Sequence, residues 1–185
     1  MSQKFPYMTH YSVGTLKTHS NIKHELLDLI DSAEVNEIRI SNEYYADSMS
    51  RLDWYKNNDG SRPWVQYFSP ILGEYLAQEA KERNMEEVDV TELWFQQYFE
   101  NDTHGWHVHG ENYTGVYYLE MPESTPRTQM ITETGELFTP SIKEGDVLIF
   151  PSFVSHRAPP NISSERKTII SFNMSMNKPI GLYCP

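Results

Sequence analysis

The second half of the chain is a succession of short β-type runs. "VDVTELWFQQYF" (88–99), "GVYYLEM" (115–121), "TQMIT" (128–132), "ELFTP" (136–140), "DVLIFPS" (146–152) and "RKTIISFNMSM" (166–176) are rich in Val, Ile, Thr and aromatic residues and are divided by Gly, Pro, Asn and Asp. Branched and aromatic side chains suit a pleated, half-buried surface, and the dividing residues suit turns. The first half reads differently. "SNIKHELLDLIDSAEV" offers Ser20 or Asn21 as a helix N-cap and places Ile22, Leu26, Leu27 and Ile30 on one stripe. "PWVQYFSPILGEYLAQEAKERN" places Pro63 where a first helical turn accepts it and Pro70 where a kink or break is expected.

Strand runs at this spacing predict a sandwich or barrel. The expected class is mainly β with N-terminal helices (α+β), and the expected architecture is an antiparallel double-stranded β-helix, a jelly roll or cupin-like barrel. With 185 residues and no internal repeat, low-complexity tract or Gly/Ser linker, the chain reads as one domain. Residues 1–85 would form a helical support and 86–178 the barrel core.

Charge narrows the partners. Lys and Arg number 15 against 26 Asp and Glu, a formal charge of -11, which argues against a phosphate-tracking nucleic-acid binder and against attachment to anionic lipid. The N-terminal stretch has no apolar h-region, and no segment approaches the roughly 20 apolar residues of a membrane span. The single cysteine, Cys184, excludes an intrachain disulfide and is compatible with a reducing compartment. These features predict a soluble, cytoplasmic protein whose partner is a small molecule or is not anionic overall, with neither nucleic acid nor membrane involved.

"HGWHVHGENYTGVYYLE" (104–120) packs three of the chain's seven histidines into six positions ahead of a strand. Neutral imidazole is a good ligand for Fe, Zn, Cu and Ni. Residues two apart in a strand share a face, so His107 and His109 converge, and Glu111 continues that face if the strand continues. Solvated histidines near a turn, with Trp106 supplying core, would also fit the cluster. A second element, "EGDVLIFPSFVSHRAPPNISSERKTIISFN" (144–173), runs from a Gly-Asp turn into an apolar strand, a Pro151 stop, His156 and a further strand from Arg166. His156 lies 49 residues after His107, far enough for the chain to fold back and present it across the barrel. Arg166, Thr168, Ile170 and Phe172 share one strand face. An arginine heading an apolar inward face is costly to bury unless it binds an anion.

The order H-x-H, "GVYYLE", "GDVLIFPSFVSHRAPPN", "ERKTIISFN" resembles the 2-oxoglutarate- and Fe(II)-dependent oxygenases of prolyl-hydroxylase type, including phage and bacterial members, over roughly residues 92 to 175. The resemblance implies a double-stranded β-helix, with Fe(II), 2-oxoglutarate and O2 taking part. It implies that His107 and His156 are iron ligands, that Arg166 pairs with the C5 carboxylate of 2-oxoglutarate with Thr168 beside it, and that Tyr98 and Tyr118 line the cosubstrate pocket. A guanidinium can grip a carboxylate with two parallel hydrogen bonds. Trp94, Trp106 and Phe172 are candidates for excluding water.

The sequence departs from the two-histidine, one-carboxylate pattern, because His109 stands where Asp or Glu is usual. One register makes His107, His109 and His156 a neutral triad; the other, His109-Gly110-Glu111, restores a carboxylate. The first keeps the spacing to "GVYY" seen in similar sequences and is preferred. The implied activity is hydroxylation of a C–H bond of an amino-acid or peptidyl substrate, with succinate and CO2 released. Two other classes are compatible with the residues: a three-histidine cupin-like metalloprotein working without 2-oxoglutarate, and a non-catalytic β-sandwich module.

Overall fold

In the computed structural model the described residues are 10–41 and 46–179. Cys184 lies outside them. Turn residues decide where the strands break, and eleven strands with two helices follow in the order β1 (Ser12–Thr15), α1 (His19–Asp31), β2 (Asn36–Ser41), β3 (Ala46–Leu52), α2 (Pro63–Glu82), β4 (Met85–Tyr98), β5 (His104–His107), β6 (Tyr113–Glu120), β7 (Gln129–Ile131), β8 (Leu137–Phe138), β9 (Asp146–Pro151), β10 (His156–Ala158) and β11 (Lys167–Pro179). All strand pairs are antiparallel and fall into two sheets, ordered β1-β9-β6-β11-β4-β3-β2 and β5-β10-β7-β8.

The helical reading of the first half is correct for α1 and α2, but that half also supplies β1, β2 and β3, which flank the larger sheet. Helix α1 begins two or three residues earlier than expected, with Thr18 rather than Ser20 or Asn21 at the N-cap and no side-chain capping bond. Helix α2 runs through Pro70 without ending, because burial of Trp64, Val65, Phe68, Leu72, Leu76 and Ala80 outweighs the lost backbone bond. Each large apolar side chain buried there contributes roughly 1.5–3 kcal/mol.

The larger sheet has two buried faces. Phe95, Tyr117, Leu119, Ile149, Ile170, Phe172 and Met174 pack against the helices, where Leu26, Ile30, Phe68 and Leu76 meet them. Tyr98, Val116, Tyr118, Leu148, Phe150 and Ile169 point the other way and close with Met130 and Ala158 of the smaller sheet. Alternation along β11 therefore sends its even-numbered residues to the helices and its odd-numbered residues between the sheets. Asp53 ties the helical layer to β4: its carboxylate accepts from Arg62 Nη1 (2.6 Å), Trp64 Nε1 (2.9 Å) and the Phe95 amide (2.9 Å). Among the described residues no helix is long and apolar enough to cross a membrane.

Candidate metal and cosubstrate site

Strands β5 and β10 are neighbours in the smaller sheet, and their register sets His156 directly opposite His107. The two therefore meet side by side on adjacent strands, not across the fold as the sequence spacing suggested. His109 follows the end of β5 and is fixed by its amide, which donates to the Ser152 carbonyl at 3.0 Å. One potential ligand atom from each of His107, His109 and His156 lies within 4.8 Å of the others.

The tautomers suit metal binding. His107 Nδ1 faces the Gly105 carbonyl at 2.7 Å and His156 Nδ1 faces the Val154 carbonyl at 2.9 Å. A carbonyl only accepts, so each Nδ1 carries the proton and each Nε2 lone pair is free. Burial pushes the His156 imidazole well below its usual range, pushes His109 down to about 4 and lowers His107, with the Gly105 bond and the Asp47 charge opposing the shift at His107. All three are neutral near pH 7, the state a metal requires. The donor set thus fits a divalent transition metal such as Fe(II). Glu111 is not part of the group; its carboxylate accepts from Ser175 Oγ at 3.1 Å.

On β11 the side chain that turns between the sheets is Lys167, not Arg166. Arg166 precedes the strand and lies on the other side, where its guanidinium reaches Asp31 (2.8 Å) and Glu120 (2.7 Å). Thr168 Oγ1 donates to the same Glu120 at 2.8 Å, and Phe172 belongs to the helix-side core. The anion that Arg166 needed is supplied by the protein itself. Lys167 is 1% exposed, with Nζ donating to the Pro126 carbonyl at 2.9 Å and standing 4.7 Å from the centre of the Tyr98 ring. It makes no ion pair among the described residues, and burial lowers its ammonium to about 7.

Tyr98 and Tyr118 both face this interior, and Tyr118 Oη is 2.6 Å from Thr128 Oγ1. Burial raises both phenols far above their usual value, so they are neutral donors. Trp94 lines the histidine cavity with Gln96, Val116, Thr128, Ile169 and Ser171, whereas Trp106 is 37% exposed. Lys167, which the sequence reading passed over, and His104, which it counted in the cluster without a role, are further polar residues of this interior. Strand parity sets Lys167 on the face of Ile169 and Ser171, which line the cavity.

No family model and no curated protein matches the sequence. Solved structures do match in fold. A prolyl-4-hydroxylase from Pseudomonas putida superposes with a TM-score of 0.63 at 14% identity, covering 92% of this chain and 94% of its own. A 2OG-Fe(II) oxygenase-family oxidoreductase from Burkholderia pseudomallei gives 0.72 at 8% identity, covering 91% and 86%. A Trichoplax adhaerens prolyl hydroxylase, solved with a hypoxia-inducible-factor peptide fragment, gives 0.63 at 12% identity, covering 89% and 82%. Two antiparallel sheets with helices on one face and a histidine triad between the strands give this chain the fold of the 2-oxoglutarate–Fe(II) oxygenases of prolyl-hydroxylase type.

Proposed function

We propose that the protein is a 2-oxoglutarate- and Fe(II)-dependent dioxygenase, built as a single double-stranded β-helix domain, that hydroxylates a C–H bond of an amino-acid or peptidyl substrate. The observation that carries the reading is the set of three neutral histidines together with Lys167, a buried cation that has no carboxylate partner among the described residues and stands against Tyr98, a residue lining the histidine cavity. His107, His109 and His156 would hold the iron. With 2-oxoglutarate and O2, iron bound there would supply the oxidation, in which one oxygen atom enters the C–H bond and the other enters succinate, with CO2 released.

Lys167 holds the distal carboxylate of the cosubstrate. Its ammonium has three donors, one of which is given to Pro126, so others remain for an incoming anion. Assigning this role to Lys167 moves it by one residue from Arg166, whose charge is already neutralised by Asp31 and Glu120. Tyr98 backs the ammonium, the Tyr118–Thr128 hydroxyl pair offers a neutral hydrogen-bonding wall, and Trp94 with Ile169 keeps water out. The acidic surface favours a substrate that is not polyanionic.

Anaerobic titration of Fe(II)-loaded protein with 2-oxoglutarate tests the reading. A visible metal-to-ligand charge-transfer band that saturates at one equivalent is expected. Stoichiometric iron with no band would establish a three-histidine metalloprotein that does not use 2-oxoglutarate.

A further inference from the structure

We infer that Asp47 is the charge-compensating carboxylate of the three-histidine centre, a positioning residue that offsets the metal's charge without ligating it. The inference rests on the metal site proposed above. Three neutral imidazoles leave the two positive charges of a divalent ion uncompensated, and charge in a poorly solvated interior is costly unless an opposite charge is near. The usual ligating carboxylate is absent from the group and Glu111 is engaged with Ser175. Asp47, from the N-terminal half, occupies the neighbouring position instead. It is 4% exposed, and its Oδ1 accepts the Gly105 amide at 2.8 Å, so it grips the ligand-bearing strand β5. The same Gly105 accepts His107 Nδ1 through its carbonyl, so one residue joins the carboxylate to a ligand. Asp47 Oδ2 lies 3.9 Å from His104 Nε2, and the His104 ring stacks on His107 with centroids 3.8 Å apart and planes 16° from parallel.

Strand β3 is anchored for this contact. Ser48 and Thr103 exchange two backbone hydrogen bonds, of 2.9 and 2.6 Å, in an isolated bridge just before β5. The residue next to that bridge on β3 is Asp47. This gives β3 a part in the chemistry that neither helix has.

The test is Co(II) binding by calorimetry to wild type, Asp47→Asn, Glu111→Gln and His156→Ala, with melting curves of the metal-free proteins. Asparagine keeps an oxygen for the Gly105 amide and removes the charge. Co(II) affinity about 10- to 100-fold weaker in Asp47→Asn is expected, with an unchanged metal-free melting curve and wild-type affinity in Glu111→Gln. The Fe(III)/Fe(II) midpoint potential should also rise, because an anion favours the more charged ion. Equal Co(II) affinity in wild type and Asp47→Asn overturns the inference alone. No Co(II) binding by wild type, or undiminished binding by His156→Ala, overturns the metal site and the inference with it. Should Asp47→Asn misfold, Asp47→Ser carries the same comparison with a smaller acceptor.

Discussion

At the scale of single residues, His156 has two jobs of unequal weight. It is 5% exposed and packs edge-on against Phe150, with ring centroids 4.6 Å apart. His156→Ala should abolish stoichiometric Fe(II) binding while a cooperative melt persists at somewhat lower temperature; full metal occupancy in the folded variant would remove His156 from the site. His107→Ala should damage iron binding far more than Glu111→Ala, because Glu111 is turned to Ser175, and Fe(II) dissociation constants of the two at one pH decide it. Lys167→Met should weaken 2-oxoglutarate by about 2–5 kcal/mol and leave metal affinity unaltered. The pH dependence follows from its ammonium, lowered by burial from 10.5 to about 7 in the metal-free fold. Between those values the unfolded chain binds more protons than the folded one, so metal-free stability rises with pH across the window. A bound carboxylate favours the charged ammonium, so 2-oxoglutarate binding should weaken as pH climbs above about 7. Lys167→Met should lose both dependences, measured by chemical denaturation and by titration.

Among the elements, the contact of β6 with β11 is a tight constraint on the helix-side face of the larger sheet. A Cβ added at Gly115 would stand 2.1 Å from the Phe172 ring, so the glycine lets the two strands pair with a phenylalanine lying over the backbone. Gly115→Ala should cost about 1–3 kcal/mol by overpacking, read as a lower denaturation midpoint. Adding Phe172→Leu should recover part of that loss, since contacting residues do not act additively. Because Phe172 faces the helices, the folded variant should bind metal as wild type does.

For the molecule as a whole, the joint between helices and sheet is the Asp53 cluster, buried with Arg62 at 2.6 Å. Burial raises the Asp53 carboxyl, and the Phe95 amide, Arg62 and Trp64 oppose that rise. Arg62→Met would leave the carboxylate unpaired and should cost about 3–5 kcal/mol. A carboxyl whose folded value lies above its unfolded one destabilises once both are ionised, so the defect should shrink as pH falls through the carboxyl range. Urea denaturation at two pH values checks the sign.

The β-type runs, the two apolar helical stripes and the H-x-H cluster were legible because each is a local pattern: side-chain shape, a 3.6-residue period and ligand chemistry all act within one element. The grouping of His107, His109 and His156 followed from the order of strands around them. Where the sequence misled, the deciding fact was long-range. Arg166 looked like the inward cation because its face continues as Ile170 and Phe172, yet both faces of the larger sheet are buried, and hydrophobicity alone cannot say which one meets the histidines. Asp31 on α1 and Glu120 on β6 claim Arg166, and neither is near it in sequence. Likewise β5 and β10, only 4 and 3 residues long, are too short to carry a readable period and exist because they pair with each other. Residue types and their periods thus determined the elements and the ligand chemistry, whereas only packing decided which strand face is the interior, because burial depends on what covers a face and not on the residues within it.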